Sequence, residues 1–136
     1  MSVIVDTSVW SLALRRRTPP DSSPVVNRLR DLITNDQVAL LGAIRQEILS
    51  GIRSSEQFTH LRDYLRAFPD VELIPEDYEI AAEFFNTCRS QGIQGSNTDF
   101  LICAVAYRRS YSILTTDNDF HSFRMHIPII LLPVDG

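Results

Sequence analysis

Short runs of consecutive apolar residues, separated by longer stretches with helical periodicity, restrict the fold of this chain more than any other feature. Val3–Val5 is such a run and contains only branched residues. Strands that are apolar at nearly every position are buried on both faces, which is typical of parallel sheets covered by helices. A run that contains Pro128 is assigned to a strand start or a sheet edge, because proline has no N–H group to donate. The predicted strands are residues 3–5, 38–41, 71–74, 112–115 and 127–132.

Helix-start signals occupy the stretches between these runs. Ser23 followed by Pro24 is typical of an N-cap with proline at the first helical position. Ser96 and Asp99 have the spacing of a capping box. The alternation of strands and helices predicts one α/β domain over residues 1–136, with three layers in which helices cover both faces of a mainly parallel sheet.

The absence of lysine excludes several kinds of chemistry, since all 13 residues in the lysine-plus-arginine count are arginine. A phosphate-binding P-loop and a Schiff-base enzyme both need a lysine. A net charge of −4 argues against a protein held on nucleic acid mainly by bulk positive charge. Cys88 and Cys103 lie in helical stretches, which predicts buried thiols in a reducing cytoplasm. No apolar run is long enough to span a membrane, so we expect no membrane association.

Acidic side chains lie at positions where this topology would bring them together. Asp6 directly follows the first strand, and Asp117, with Asp119 two residues later, follows the strand at 112–115. Glu47 lies in the helix after the second strand, and Asp99 lies at the start of a later helix. Ligands bind beyond the carboxyl ends of strands in open parallel sheets. We therefore predict an acidic site at that edge of the sheet.

Each acid also has a purely structural explanation. Asp6 is suited to cap the first helix, Asp99 completes a capping box, and Glu47 suits a solvated helix face. Asp117 and Asp119 are ordinary turn residues. Only the combination indicates a site. Carboxylates without histidine or cysteine partners favour Mg²⁺ or Mn²⁺ over zinc. Clustered carboxylates repel each other, so at least one pKa is expected to be raised.

Four motifs in this order resemble those of PIN-domain proteins. They are the sequences Val-Ile-Val-Asp-Thr-Ser at 3–8, Glu-Ile-Leu-Ser-Gly-Ile at 47–52, Asp-Phe-Leu-Ile-Cys-Ala at 99–104, and Thr-Thr-Asp-Asn-Asp-Phe at 115–120. Alanine is more usual in the family at the position of Cys103. The resemblance covers nearly the whole chain. A compact single PIN domain is most similar to the VapC-type toxins of type II toxin–antitoxin modules.

The resemblance implies a Mg²⁺-dependent endoribonuclease, with Mn²⁺ as an alternative ion. It also implies a cognate antitoxin, an RNA substrate, a second copy of the chain in a homodimer, and a cytoplasmic location. Carried over position by position, the catalytic and metal-binding acids are Asp6, Glu47, Asp99 and Asp117. Asp119 matches a position that sometimes helps to hold metal. Ser8 and Thr115 match small hydroxyl residues that donate hydrogen bonds to the acids.

Two other classes of function stay open at this point. One is a catalytically inactive PIN-like interaction module, which metal binding would distinguish. The other is a different acidic-site phosphohydrolase or an aspartate-phosphorylated signalling domain, which the missing lysine disfavours. Arginines cluster twice at predicted helix ends, where they would either stabilise the helix C-terminus or contact RNA phosphate. These clusters are Arg15, Arg16 and Arg17, and Arg108 and Arg109.

Overall fold

The fold alternates short strands with helices, as the apolar pattern predicts. The computed structural model describes residues 2–14 and 23–134. The arginine run at 15–17 lies outside the described residues, so both explanations of its role stay open. The elements are β1 (Val3–Val5), α1 (Thr7–Leu14), α2 (Pro24–Thr34), β2 (Val38–Ala39), α3 (Gly42–Leu49), α4 (Ser55–Leu65), α5 (Pro75–Ser90), α6 (Asn97–Arg109), β3 (Ser112–Leu114) and α7 (Asp119–Arg124).

The sheet is parallel, with β1 between β2 and β3. Ile4 lies opposite Ala39 on one side and Ile113 on the other. All three residues of β1 are buried, because helices cover both faces of the sheet. The predicted α/β class with a mainly parallel sheet is confirmed. Because the strands run in the same direction, their carboxyl ends meet at one edge.

The predicted strand at 71–74 is wrong beyond a single bridge between Asp70 and Leu40. The N–H of Val71 still donates to the carbonyl of Leu40 at 2.8 Å, but two backbone groups further along bind side chains instead of a neighbouring strand. The carbonyl of Glu72 accepts from Arg109 Nη2 at 2.9 Å, and the N–H of Ile74 donates to Asp77 Oδ2 at 2.9 Å. Local side-chain partners thus replace the ladder that the apolar pattern favours.

The predicted strand at 127–132 is also reduced to one parallel bridge, between Leu131 and Ile113. Pro128 has no N–H group, and the N–H of Ile129 donates to the carbonyl of Ile127 at 2.9 Å in a tight turn. The segment at 127–132 therefore pairs with β3 only near its own C-terminal end, at Leu131. The assignment of this segment to a sheet edge is correct, but its length as a strand is not.

A buried aspartate joins the start of α5 to the end of α6. Asp77 is 0% exposed and accepts hydrogen bonds from Arg108 Nη1 at 3.0 Å and from Arg109 Nη1 at 2.8 Å. Burial alone would raise the pKa of Asp77, but the bonds from Arg109, from the Ile74 N–H and from Arg108 outweigh it and hold the pKa well below its usual range. Both arginines thus make a structural contact with Asp77, and contact of either with RNA phosphate stays a prediction.

An aromatic cluster lies beneath the N-terminus of α6. Phe100 packs on Phe123 with ring centroids 4.7 Å apart, and Phe123 packs on Phe120 at 5.3 Å. The loop before α6 touches this cluster at Gly95, where an added Cβ would lie 2.6 Å from Phe123 Cζ. Glycine is therefore required at this position by close approach, and the loop that leads into α6 is fixed by it.

Both cysteines are buried free thiols, as their helical positions predict. Burial raises the pKa of Cys88 and of Cys103, so both thiols stay protonated at neutral pH. In the part of the chain that the structure describes, every helix is too short or too polar to span a bilayer.

Candidate active site

A cavity of about 580 Å³ opens at the edge of the sheet where the parallel strands end. Four of the five predicted acids line it, and each comes from a different part of the chain. Asp119 is exposed and does not line this cavity. The lining residues are Asp6, Thr7, Ser8, Ala43, Gln46, Glu47, Ser50, Thr98, Asp99 and Asp117.

Asp6 is the most buried of these acids, at 5% exposed. It extends β1 by one residue, since its N–H donates to the carbonyl of Leu114 at 2.9 Å. Its Oδ2 accepts from Ser8 Oγ at 2.8 Å and from Thr115 Oγ1 at 2.8 Å. Among the described residues, its hydrogen-bond donors are these hydroxyls and not the N–H groups of α1. The two hydroxyls orient it, in the arrangement that the family resemblance implies for them.

The hydroxyl network has a defined direction. Each hydroxyl carries one proton and donates it to Asp6, so each can only be the acceptor in any further hydrogen bond. Ser8 Oγ accepts from the N–H of Thr116 at 3.1 Å, and Thr115 Oγ1 accepts from the N–H of Asp117 at 2.9 Å. Two backbone N–H groups are thereby connected to one carboxylate through the hydroxyls.

Asp99 lies at the third position of α6 and has two roles. Its Oδ2 accepts from the N–H of Ser96 at 3.0 Å, while its own N–H donates to Ser96 Oγ at 3.0 Å. The capping box is thus present, and the same side chain lines the cavity. Burial raises the pKa of Asp99, the bonds from Ser96 oppose the rise, and the charges of Asp6 and Asp117 raise it further.

Asp117 follows β3 and combines a turn with a place in the cavity. Its Oδ1 accepts from the N–H of Asp119 at 2.9 Å. Asp119 contributes that backbone group to the site, while its own side chain begins α7 at the surface. Asp117 is therefore a turn residue that also lines the cavity, and its catalytic role stays a prediction.

Glu47 reaches the cavity from α3. Its Oε1 accepts a hydrogen bond of 2.6 Å from Thr7 Oγ1, the first residue of α1. Sequence reasoning missed Thr7, although its position directly after Asp6 at a helix start is a signal that was available. It also missed a second cavity of about 390 Å³ between α5 and α6, which shares Thr98 with the acidic one.

The donor set consists of oxygens, as Mg²⁺ and Mn²⁺ prefer. Among residues 2–14 and 23–134, no three His, Cys, Asp or Glu side chains are grouped closely enough to hold an ion directly. Mg²⁺ is usually held by one or two carboxylates together with waters and phosphate, so a looser group of acids fits it. Burial raises the pKa of Asp99 and the charges of Asp6 and Asp117 raise it further, and a bound cation would oppose both effects.

Comparison with known proteins gives one family match. The model of the PIN domain matches residues 3–124. Comparison with curated protein sequences found no significant match.

Several solved structures share the fold over nearly the whole chain. A chain of VapBC2 from Rickettsia felis, bound to a DNA fragment from their promoter, has a TM-score of 0.77 at 20% identity, covering 97% of this chain and 98% of that one. FitAcB from Neisseria gonorrhoeae gives 0.76 at 20% identity, with 97% of each chain covered. VapBC-1 from nontypeable Haemophilus influenzae gives 0.76 at 16% identity over 100% of both chains. At these identities the likeness shows the fold alone.

Proposed function

This chain belongs to the PIN domain family, and we propose that it is a divalent-metal-dependent endoribonuclease that acts as the toxin of a type II toxin–antitoxin pair. Proteins of this family are generally nucleases. The observation that carries the proposal is the convergence of Asp6, Glu47, Asp99 and Asp117 on one cavity. Roles in surface turns and helix caps would not by themselves bring acids from four separate segments to the same cavity.

The residues of the chain have separable tasks in this proposal. Asp6 is held in place as an oxygen ligand by hydrogen bonds from Ser8 and Thr115. Asp99 and Asp117 add negative charge on the other sides of the cavity, and Glu47 closes it from α3. A Mg²⁺ or Mn²⁺ ion held by these acids would supply an activated water and charge stabilisation at the phosphate. The carboxylates position that ion and the phosphate, and no side chain serves as the nucleophile. Participation of Asp119 in metal binding stays a prediction.

Partners follow from the proteins that this chain resembles. VapBC2 and VapBC-1 are toxin–antitoxin complexes, and we propose that this chain likewise binds a cognate antitoxin and pairs with a second copy of itself. A nuclease that acts on cellular RNA would work in the cytoplasm. The net charge of −4 is concentrated in part at the site, so RNA would be held by the metal and a few arginines.

Substitution of single site acids tests the enzymatic role. Asp6→Asn and Asp99→Asn keep the size of the side chain and remove its charge, so each should abolish RNA cleavage supported by Mg²⁺ or Mn²⁺ while the protein stays folded. Asp63→Asn is the matched control, because Asp63 is 57% exposed in a surface ion pair. Cleavage by either site variant at the wild-type rate would overturn the assignment.

Metal binding separates this proposal from an inactive interaction module. Calorimetric titration of metal-free protein with Mn²⁺ should show binding that Asp6→Asn weakens. Absence of binding to the wild-type protein would favour the inactive module. The toxin role has its own test, because induction of the chain should arrest growth and co-expression of the neighbouring small gene should relieve the arrest.

A further inference from the structure

We propose that Thr7 is a positioning residue that fixes Glu47 at the mouth of the acidic cavity through its hydroxyl group. The proposal rests on the proposed function and deepens it, since it assigns a role to a residue that is neither one of the site acids nor one of the two hydroxyl residues, Ser8 and Thr115, that bind Asp6. Thr7 would act through Glu47 and would touch neither the metal nor the substrate.

The hydrogen bond joins two separate helices. Thr7 is the first residue of α1, Glu47 lies in α3, and the two are 40 positions apart in the chain. Thr7 Oγ1 lies 2.6 Å from Glu47 Oε1, a distance typical of a hydroxyl that donates to a charged carboxylate. Among the described residues, Glu47 accepts a side-chain hydrogen bond from Thr7 alone.

Glu47 needs such a partner more than the other acids do. Asp6 is buried between two hydroxyls, Asp99 is tied to Ser96, and Asp117 accepts a backbone N–H. Glu47 is exposed and has a longer side chain than these aspartates, with more rotamer freedom to lose when it binds a ligand. A single bond to Thr7 therefore sets its position.

Threonine suits this task better than serine in one respect. Its branched Cβ restricts χ1 in a helix, so the hydroxyl points in few directions. Removal of the hydroxyl should leave Glu47 free to sample other rotamers. Outer partners of metal ligands typically change metal affinity by about 10- to 100-fold when they are removed, and the exposure of this pair places the expected effect at the lower end.

The test compares variants that differ in one hydroxyl group. Thr7→Val removes it at constant shape, Thr7→Ala removes it with the methyl group, and Thr7→Ser retains it. Thr59→Val is the control, since Thr59 is exposed in α4 and does not line the acidic cavity. Mn²⁺ binding to metal-free protein is measured by calorimetry. We expect Val and Ala to weaken binding about tenfold, and Ser and the control to stay within about twofold of wild type.

A double-mutant cycle shows whether Thr7 acts through Glu47. In a Glu47→Ala background, Thr7→Val should cause less than about a twofold further loss of Mn²⁺ affinity. A further tenfold loss of Mn²⁺ affinity in the Glu47→Ala background would overturn the inference. So would a Thr7→Val variant that binds Mn²⁺ as tightly as wild type, or a Thr7→Ser variant that binds it as weakly as Thr7→Val. If the wild-type protein neither binds Mn²⁺ nor cleaves RNA, the proposed function fails first; if it does both and the Thr7 variants match it, only this inference fails.

Discussion

Replacement of Asp77 by asparagine should remove much of the stability that the contact between α5 and α6 provides. Asp77 is fully buried and accepts three hydrogen bonds from Arg108 and Arg109, besides the bond from the Ile74 N–H. Removal of one partner from a buried ion pair destabilises by about 3–5 kcal/mol. The arginine side chains are 23% and 18% exposed and are partly solvated, so the lower end applies, about 3 kcal/mol.

The dependence of this effect on pH follows from the pKa of Asp77, which lies below its unfolded value of about 3.9. A carboxyl with a lowered folded pKa contributes stability that is present above the unfolded pKa and is lost as the pH falls through the folded one. The difference between wild type and Asp77→Asn should therefore be full at pH 7 and shrink below about pH 4.

Urea denaturation of both proteins from pH 7 down to pH 2.5 or so measures this difference in the free energy of unfolding. Thermal denaturation at pH 7 should show a midpoint for Asp77→Asn that is lower by roughly 10 °C. Asp63→Asn makes the same chemical change in a surface ion pair and should alter the free energy of unfolding by less than about 0.5 kcal/mol. A loss below about 1 kcal/mol for Asp77→Asn at pH 7, or a difference that grows as the pH falls below 4 or so, would refute the reasoning.

Three further variants probe the site and its support. Gly95→Ala should lower the free energy of unfolding by about 2 kcal/mol, because its Cβ would lie 2.6 Å from Phe123; urea unfolding unchanged from wild type would contradict the close approach. Thr115→Val removes a donor to Asp6 and the acceptor of the Asp117 N–H, so it should reduce the rate of RNA cleavage about tenfold and lower the free energy of unfolding by about 1 kcal/mol, whereas a full rate would make that hydroxyl dispensable. The raised pKa of Asp99 means that its contribution to stability is present below the unfolded pKa and is lost as the pH rises through the folded one. In the presence of a metal chelator, the free energy of unfolding of wild type should therefore fall relative to that of Asp99→Asn as the pH rises from 4 to 8 or so. Parallel pH profiles of the two proteins would contradict a raised pKa of Asp99.

The central strands and the ends of those strands could be predicted from the sequence, because burial on both faces leaves a continuous apolar run. Asp6 and Asp117 follow such runs directly, so their placement at one edge needed only the parallel topology. Asp99 was visible through its capping-box spacing to Ser96, a local pattern that the structure retains.

The contacts that escaped prediction join distant segments through polar side chains. Nothing in the local pattern pairs Asp77 with Arg109 across 32 positions, yet the bonds to Glu72 and Ile74 remove those residues from a strand. Likewise, Thr7 and Glu47 carry no spacing signal for each other. Apolar periodicity reports which face is buried, and it does not report which backbone group a side chain will bind.

The hydroxyl contact between Thr115 and Asp6 has a consequence for how the protein is made. The two residues are 109 positions apart, so their hydrogen bond forms only after most of the chain has been synthesised. A nascent chain of which only the first hundred or so residues have been synthesised contains Asp6, Glu47 and the start of α6 but lacks β3. The acidic site is therefore incomplete in every such nascent fragment. The proposed ribonuclease would therefore stay inactive beside the ribosome and its messenger RNA until β3 pairs with β1.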